Sequence, residues 1–416
     1  MNERIAVDVL VIGGGHAGAH LAISLRQKGF AGTIMVVSDE HTLPYDRPPL
    51  SKAYLIGNMQ IDRLLLRDSD YWAEQQVRFE LGCRVGVLDA DRKRAELEDG
   101  RTIAFQWCVI ATGGKVRRLA CPGSELEGVH YLRTVADVDA IRAGLENGGR
   151  LGVIGAGYVG LEVAAAAREM GHEVAVVEAQ DRVLERVTSP IISHFFERQH
   201  RARGVEFYLG ERVAGFSDDG RVSAIRLASG QEIPVDIVIV GIGIDAETML
   251  AEKAGIACDG GVLVDEYCRT SAESVLAIGD CARHPNDFAG GLWRLESVQH
   301  AMDSAAIAAD AIMDAPTEYR ALPTFWSDQF DLKLQSAGLN KDADEIVVRG
   351  DVQDGPFSAI YLKEGRIISI DAINSPKDFM GARSLIVRGA VPDRAQLADV
   401  SLPLKKVACQ EAAQPV

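Results

Sequence analysis

Val7-Asp8-Val9-Leu10-Val11-Ile12-Gly13-Gly14-Gly15-His16-Ala17-Gly18 is the stretch whose reading decides the fold. Val9 to Ile12 make an apolar, β-branched run of the kind that fills a strand covered on both faces. Glycines follow at once, and Ala19, Leu21, Ala22 and Leu25 then recur at helical spacing. Gly13, Gly15 and Gly18 stand at G-x-G-x-x-G spacing between the two. Gly13 allows a tight turn, Gly15 lets backbone approach a phosphate, and Gly18 lets helix pack on strand. The pattern predicts a helix N-terminus aimed at a pyrophosphate, where unpaired amides favour an anion. A strand from Thr33 to Ser38 delivers Asp39 and Glu40 about 20 residues past the glycines, where a ribose hydroxyl would lie. Asp39 is preferred by position. A plain glycine turn between strand and helix is the competing reading, and strand, helix and acid together disfavour it.

The same grammar recurs. Arg150 to Ile154 reads as a strand, Gly155, Gly157 and Gly160 repeat the spacing, and Leu161 to Met170 reads as a helix. Glu173 to Glu178 is the next strand, and Glu178 ends it where a second ribose would bind. Its charge would repel a 2′-phosphate, which favours NADH over NADPH; Arg182 and Arg186 nearby pull the other way. Two such units in one chain imply two nucleotides.

Between them, His41 to Lys52 reads H-T-L-P-Y-D-R-P-P-L-S-K, stiffened by Pro44, Pro48 and Pro49, with a helix expected from Leu50 and Ser51 near its cap. Ala111-Thr112-Gly113-Gly114 ends a further buried strand, and Gly241-Ile242-Gly243 follows another. P-Y-D-R-P-P-L-S-K after a G-x-G-x-x-G unit resembles the FAD-dependent ferredoxin reductases of oxygenase and P450 systems. The resemblance continues through Y-L-R-T (Tyr131 to Thr134), V-I-G-A-G-Y-V-G-L-E (Val153 to Glu162), V-L-E-R-V-T (Val183 to Thr188), A-I-G-D-C-A (Ala277 to Ala282), R-L-E-S-V (Arg294 to Val298) and F-W-S-D-Q-F (Phe325 to Phe330).

That resemblance implies an α/β protein with two Rossmann-like dinucleotide-binding domains of the glutathione-reductase kind, plus a smaller C-terminal α+β domain. The FAD-binding domain would span residues 1–114 and 245–324, the NAD-binding domain 115–244, and the interface domain 325–416. The FAD contacts would be Gly13, Gly15, Ala17, Gly18, Asp39, Lys52, Val85, Arg133, Asp280 and Val298, with Trp326 packing beside the flavin. The NADH contacts would be Gly155, Gly157, Tyr158, Val159, Gly160, Glu178, Gly243 and Glu296. Lys52 would tune the flavin as a nearby cation, and Glu162 would hold Lys52. For Glu162 the alternative is a first-turn glutamate favoured by the helix dipole, for Asp280 a helix N-cap, and for Trp326 a core side chain. His16 departs from the family pattern and is expected to point outward.

Chemistry narrows the class further. Disulfide-reducing relatives need two cysteines beside the flavin, and related oxidases and peroxidases need one; His41 to Pro44 offers none. Hydride transfer from NADH to FAD, then single electrons to a [2Fe–2S] ferredoxin, is the activity implied. A rubredoxin or quinone reductase, or an NADH-binding flavoprotein of the apoptosis-inducing-factor type with a signalling role, is the alternative. The 416 residues allow two or three domains, and the net charge of −16 argues against nucleic acid. An acidic electron carrier would therefore need a local basic patch; Arg47, Arg283, Arg294 and Lys333 are candidates. No apolar run reaches the roughly 18 residues of a membrane span, and no signal peptide is expected. Seven scattered cysteines without a C-x-x-C pair suggest reduced thiols in the cytoplasm, with neither disulfide nor zinc. No metal site is expected, and monomer and homodimer are both compatible with the sequence.

Overall fold

Val9, Leu10 and Val11 are fully buried, as a continuous apolar strand requires. The computed structural model describes residues 4–146, 148–218, 220–353 and 355–410. The chain divides into two compact units. One comprises Met1–Asp46, Ile61–Lys115 and Asp245–Pro323; the other comprises Arg47–Gln60, Val116–Ile244 and Thr324–Val416.

In the first unit, strand Arg4–Ile12 runs parallel to Ile34–Ser38 on one side and Thr102–Ile110 on the other. Val77–Leu81 extends the parallel array beyond Ile34–Ser38. Thr102–Ile110 is shared: its first half pairs antiparallel with Arg94–Leu97, and its last residues pair parallel with Val275–Ala277. Val85–Asp89 completes the sheet against Arg94–Leu97. Side chains alternate across it. Val9 and Val11 meet Leu21 and Leu25 of helix His16–Gln27 and Ala305 and Ala308 of helix Val298–Ile312. Leu10 and Ile12 enter a second core with Met35, Val37 and Ile110. The alanines of the later helix let the two helices lie close together. A short helix, Ser69–Glu74, starts where Asp68 caps it by accepting the Tyr71 N–H at 2.8 Å.

In the second unit, five parallel strands lie in the order Val205–Leu209, Glu173–Glu178, Arg150–Ile154, Ile237–Val240, Val129–Tyr131. Val213–Asp218, Val222–Leu227 and Glu232–Pro234 form an antiparallel sheet. A five-stranded antiparallel sheet follows, in the order Thr324–Gln329, Leu332–Gly338, Arg366–Ile373, Phe357–Lys363, Glu345–Gly350. Helix Pro376–Val387 packs on its central strands. The architecture is the α/β class expected, with a mixed sheet in the first unit, a parallel sheet in the second and a C-terminal α+β portion.

Arg47–Gln60 groups with the second unit although its chain neighbours belong to the first. The proline segment makes a 3-10 turn, Pro48–Ser51, and a single helical turn, Ala53–Ile56. Both lie against helices Val135–Leu145 and Tyr158–Glu169. The Tyr54 hydroxyl donates to Asp139 at 2.8 Å and anchors the segment. Ser51 does not cap this helix, contrary to expectation. Its hydroxyl is drawn away by a buried carboxylate.

Candidate functional site

The two glycine loops are built alike. The Gly13 N–H donates to the Val37 carbonyl and the Gly155 N–H to the Val177 carbonyl, each at 2.8 Å. Gly13 has φ +118° and Gly155 φ +98°, a region that side chains rarely adopt. A Cβ on Gly13 would stand 2.2 Å from the Ala111 carbonyl oxygen; one on Gly155, 2.5 Å from that of Gly241. Gly18 and Gly160 press helix onto loop, so a Cβ would reach 2.1 and 2.0 Å from the carbonyl oxygens of Gly13 and Gly155. Gly15 and Gly157 are N-caps with no side-chain hydrogen bond to the helix. The first-turn amides are thus left for a ligand. A Cβ on Gly157 would meet nothing within 4 Å, so the space beside the backbone is open. An anionic dinucleotide phosphate fits both cradles.

Strand register reveals the place of the acids. Glu178 follows Val177 as Ser38 follows Val37, so Ser38 occupies the position equivalent to Glu178. Asp39 lies one residue further, exposed and paired with Arg84 at 3.1 Å. Glu178 instead grips its own loop. Its carboxylate accepts the Ala156 N–H at 2.6 Å and the Gln180 N–H at 2.9 Å. A cavity of about 290 Å³ opens here, lined by Gly155, Gly157, Glu178, Arg186, Arg212 and Ile242 among others. Arg182 is not among them, because it donates to the Thr188 and Glu185 carbonyls at 2.9 Å. Arg212, unremarked in the sequence, takes its place.

His16 is buried, correcting the outward orientation expected. Its Nε2 lies 2.9 Å from Asp46, an acid on the proline-rich loop. Asp280 is not a helix N-cap either. It sits in the 3-10 turn Gly279–Cys281, while Ser297 caps the helix that begins at Val298 by accepting the His300 N–H. Gly279, at φ +70°, would drive a Cβ to 2.8 Å from the Ala17 Cβ, so this turn abuts the first turn of helix His16–Gln27. Val85 is buried in its hairpin. Glu296, grouped by resemblance with the NADH residues, belongs to the first unit and pairs with Arg294 at 2.6 Å. Gly243, at φ +102°, follows strand Ile237–Val240 in the second unit.

The second unit gathers Lys52, Glu162, Tyr158, Val159, Arg133 and Trp326. Lys52 Nζ lies 2.6 Å from Glu162 Oε2, and donates also to the Pro48 carbonyl at 3.1 Å. Ser51 donates to the same carboxylate oxygen at 2.5 Å and Ser327 to Oε1 at 2.6 Å. Glu162 is 5% exposed, so it is a buried partner of a cation rather than a solvated first-turn glutamate. Alternation along Thr324–Gln329 buries Ser327 and Gln329 and leaves Trp326 38% exposed, against a core role. Phe325 packs on Tyr158 with ring centroids 4.4 Å apart, and Val159 is exposed beside it. Arg133 precedes a helix whose capping box joins Thr134 and Asp137, and its carbonyl accepts from Arg47 at 2.8 Å. Sequence reasoning missed Ser327, Gln329 and His200, although two of these stood inside the F-W-S-D-Q-F motif, and it read Ser51 as a helix cap rather than a partner of Glu162.

All seven cysteines are free thiols, and Cys108, Cys268 and Cys281 are buried, which pushes their thiols up and keeps them protonated. No cluster suited to a metal occurs among the described residues, and no described helix is long and apolar enough to cross a membrane.

Known proteins resolve the family. Residues 7–305 match the pyridine nucleotide-disulphide oxidoreductase family, and residues 324–408 match the reductase C-terminal family. The ferredoxin reductase subunit of 5,5′-dehydrodivanillate O-demethylase from Sphingobium sp. is 46% identical, with 96% of this chain and 98% of that protein covered. A rubredoxin-NAD(+) reductase from Pseudomonas putida is 37% identical over 89% of this chain and 96% of its own length. The reductase in a covalent putidaredoxin reductase–putidaredoxin complex has a TM-score of 0.93 and 37% identity, with 96% of this chain and 97% of that chain covered. With paired glycine cradles and relatives of this kind along nearly its whole length, the chain belongs to the ferredoxin reductases of the pyridine nucleotide-disulphide oxidoreductase family.

Proposed function

We propose that this protein is an FAD-containing reductase that takes electrons from NADH in preference to NADPH and delivers them to a [2Fe–2S] ferredoxin. Bound FAD supplies the conversion between a hydride, which carries two electrons, and single-electron delivery. The chain holds and tunes. We assign FAD to residues 1–114 and 245–324, NADH to 115–244, and an interface role to 325–416. The unit boundaries at Lys115 and Asp245 support the first two limits. Gly13, Gly15, Ala17, Gly18, Asp39, Val85, Arg133, Asp280, Val298 and Trp326 are assigned to FAD. Gly155, Gly157, Tyr158, Val159, Gly160, Glu178, Gly243 and Glu296 are assigned to NADH. Lys52 is assigned to the flavin as its tuning cation, with Glu162 as its counter-ion. Seven free thiols support a reducing, cytoplasmic setting.

Glu178 carries the nucleotide preference. Backbone amides fix its carboxylate at the end of its strand, on the wall of the cavity beside Gly155 and Gly157. An acid there accepts ribose hydroxyls and repels a 2′-phosphate. Stopped-flow reduction of the flavin by NADH and NADPH tests both function and preference. NADH should be the faster donor, and Glu178→Ala should narrow the NADH/NADPH ratio of kcat/KM by at least about tenfold, the loss of one charged contact. Reduction by neither nucleotide would defeat the proposal; an unchanged ratio would defeat the role of Glu178. Acceptors separate next: turnover with a [2Fe–2S] ferredoxin should fall with salt as docking is screened, and a higher kcat/KM with rubredoxin would reassign the partner.

A further inference from the structure

A line of buried hydrogen bonds leads away from the Lys52–Glu162 pair. Ser327 Oγ donates to Glu162 Oε1 at 2.6 Å. Gln329 Nε2 donates to Ser327 Oγ at 3.2 Å. His200 Nε2 lies 2.8 Å from Gln329 Oε1. Ser327, Gln329 and His200 are each at most 1% exposed. Burial drags the His200 imidazole down to about 4, so it is neutral at ordinary pH. With Gln329 Oε1 as its acceptor, its proton must sit on Nε2. Every donor in the line therefore points toward the Glu162 carboxylate, an arrangement in which each bond polarises the next.

The two carboxylate oxygens are used differently. Oε2 faces Lys52 and Ser51, while Oε1 faces Ser327. Lys52 spends two of its three ammonium protons on Glu162 and Pro48, which leaves one for a ligand. We propose that Ser327 is a positioning residue for Lys52: by occupying Oε1 it keeps the carboxylate from turning both oxygens onto the ammonium, and Gln329 and His200 fix the direction in which Ser327 donates. This rests on the reading that Lys52 tunes the flavin. Without the Ser327 hydroxyl, Oε1 would be a buried acceptor with no donor, at a desolvation cost that rotation toward Lys52 relieves. A cation drawn further onto its counter-ion favours the reduced flavin less, so the flavin potential falls.

The test is spectroelectrochemical titration of the FAD-loaded protein and its variants. Ser327→Ala should lower the midpoint potential by the equivalent of a tenfold change in the oxidised-to-reduced ratio, about 30 mV for a two-electron couple. Ser327→Thr, which keeps the hydroxyl, should restore it. Gln329→Met should shift it the same way by less, and stands in for Ser327→Ala should that variant fail to fold. Lys52→Met should lower the potential at least as far as Ser327→Ala. If Lys52→Met lowers the potential but neither Ser327→Ala nor Gln329→Met does, the positioning role is overturned while the Lys52 reading stands. If Lys52→Met leaves the potential unmoved, the Lys52 reading fails and takes the positioning role with it.

Discussion

Replacing Lys52 by methionine should destabilise the protein, and the size of the effect follows from what Glu162 would keep. The Nζ–Oε2 distance is 2.6 Å, with side-chain exposures of 19% for Lys52 and 6% for Glu162. At an effective dielectric constant of about 20, the Coulomb attraction is roughly 6 kcal/mol, before the cost of removing both charges from water. Breaking a buried pair from one side costs about 3–5 kcal/mol, because the remaining charge is uncompensated. Glu162 would retain donors from Ser51 and Ser327, which places the cost of Lys52→Met near the lower bound, about 3 kcal/mol. For a unit of this size that is roughly 6–12 °C in Tm. Thermal unfolding should be followed at saturating FAD, since cofactor loss would otherwise lower Tm by mass action. Removing the charge as well, in Lys52→Met/Glu162→Gln, should recover about half the loss, so the double-mutant cycle should show a coupling above about 1 kcal/mol. A shift below 2 °C for Lys52→Met, or additivity within about 0.5 kcal/mol, would refute the reasoning.

Two other outcomes are expected. Gly160→Ala puts a methyl 2.0 Å from the Gly155 carbonyl, a backbone atom that cannot step aside, and should yield a yellow protein whose flavin NADH reduces at least about tenfold more slowly; a wild-type stopped-flow rate would dismiss the close-packing argument. Stability should fall in mild acid because burial holds His200 near about 4 and His300 near about 3. The unfolded chain takes up these protons below about pH 6.5 while the folded chain does not, so stability is complete above that pH and declines toward pH 4 by about 1.4 kcal/mol per unit for each histidine. Urea midpoints at pH 7.5, 6 and 5 should decline less steeply in His300→Gln than in wild type, and parallel declines would contradict the assignment.

The sequence by itself determined the two glycine loops, the strands that enter them and the helices that leave them. These rest on spacing within a dozen or so residues, where backbone sterics and apolar periodicity act locally. Strand Glu173–Glu178 falls where its pattern predicts. Tertiary structure decided which polar side chains meet. Glu162 is 111 residues from Ser51 and 165 from Ser327, and His200 is 129 from Gln329. Nothing local distinguishes a serine that turns inward to a carboxylate from one that faces water. The same holds for His16, which the loop pattern left facing outward and which Asp46, 30 residues on, draws inward. A buried polar atom must find a partner wherever the fold supplies one, and that choice is made by packing between distant segments.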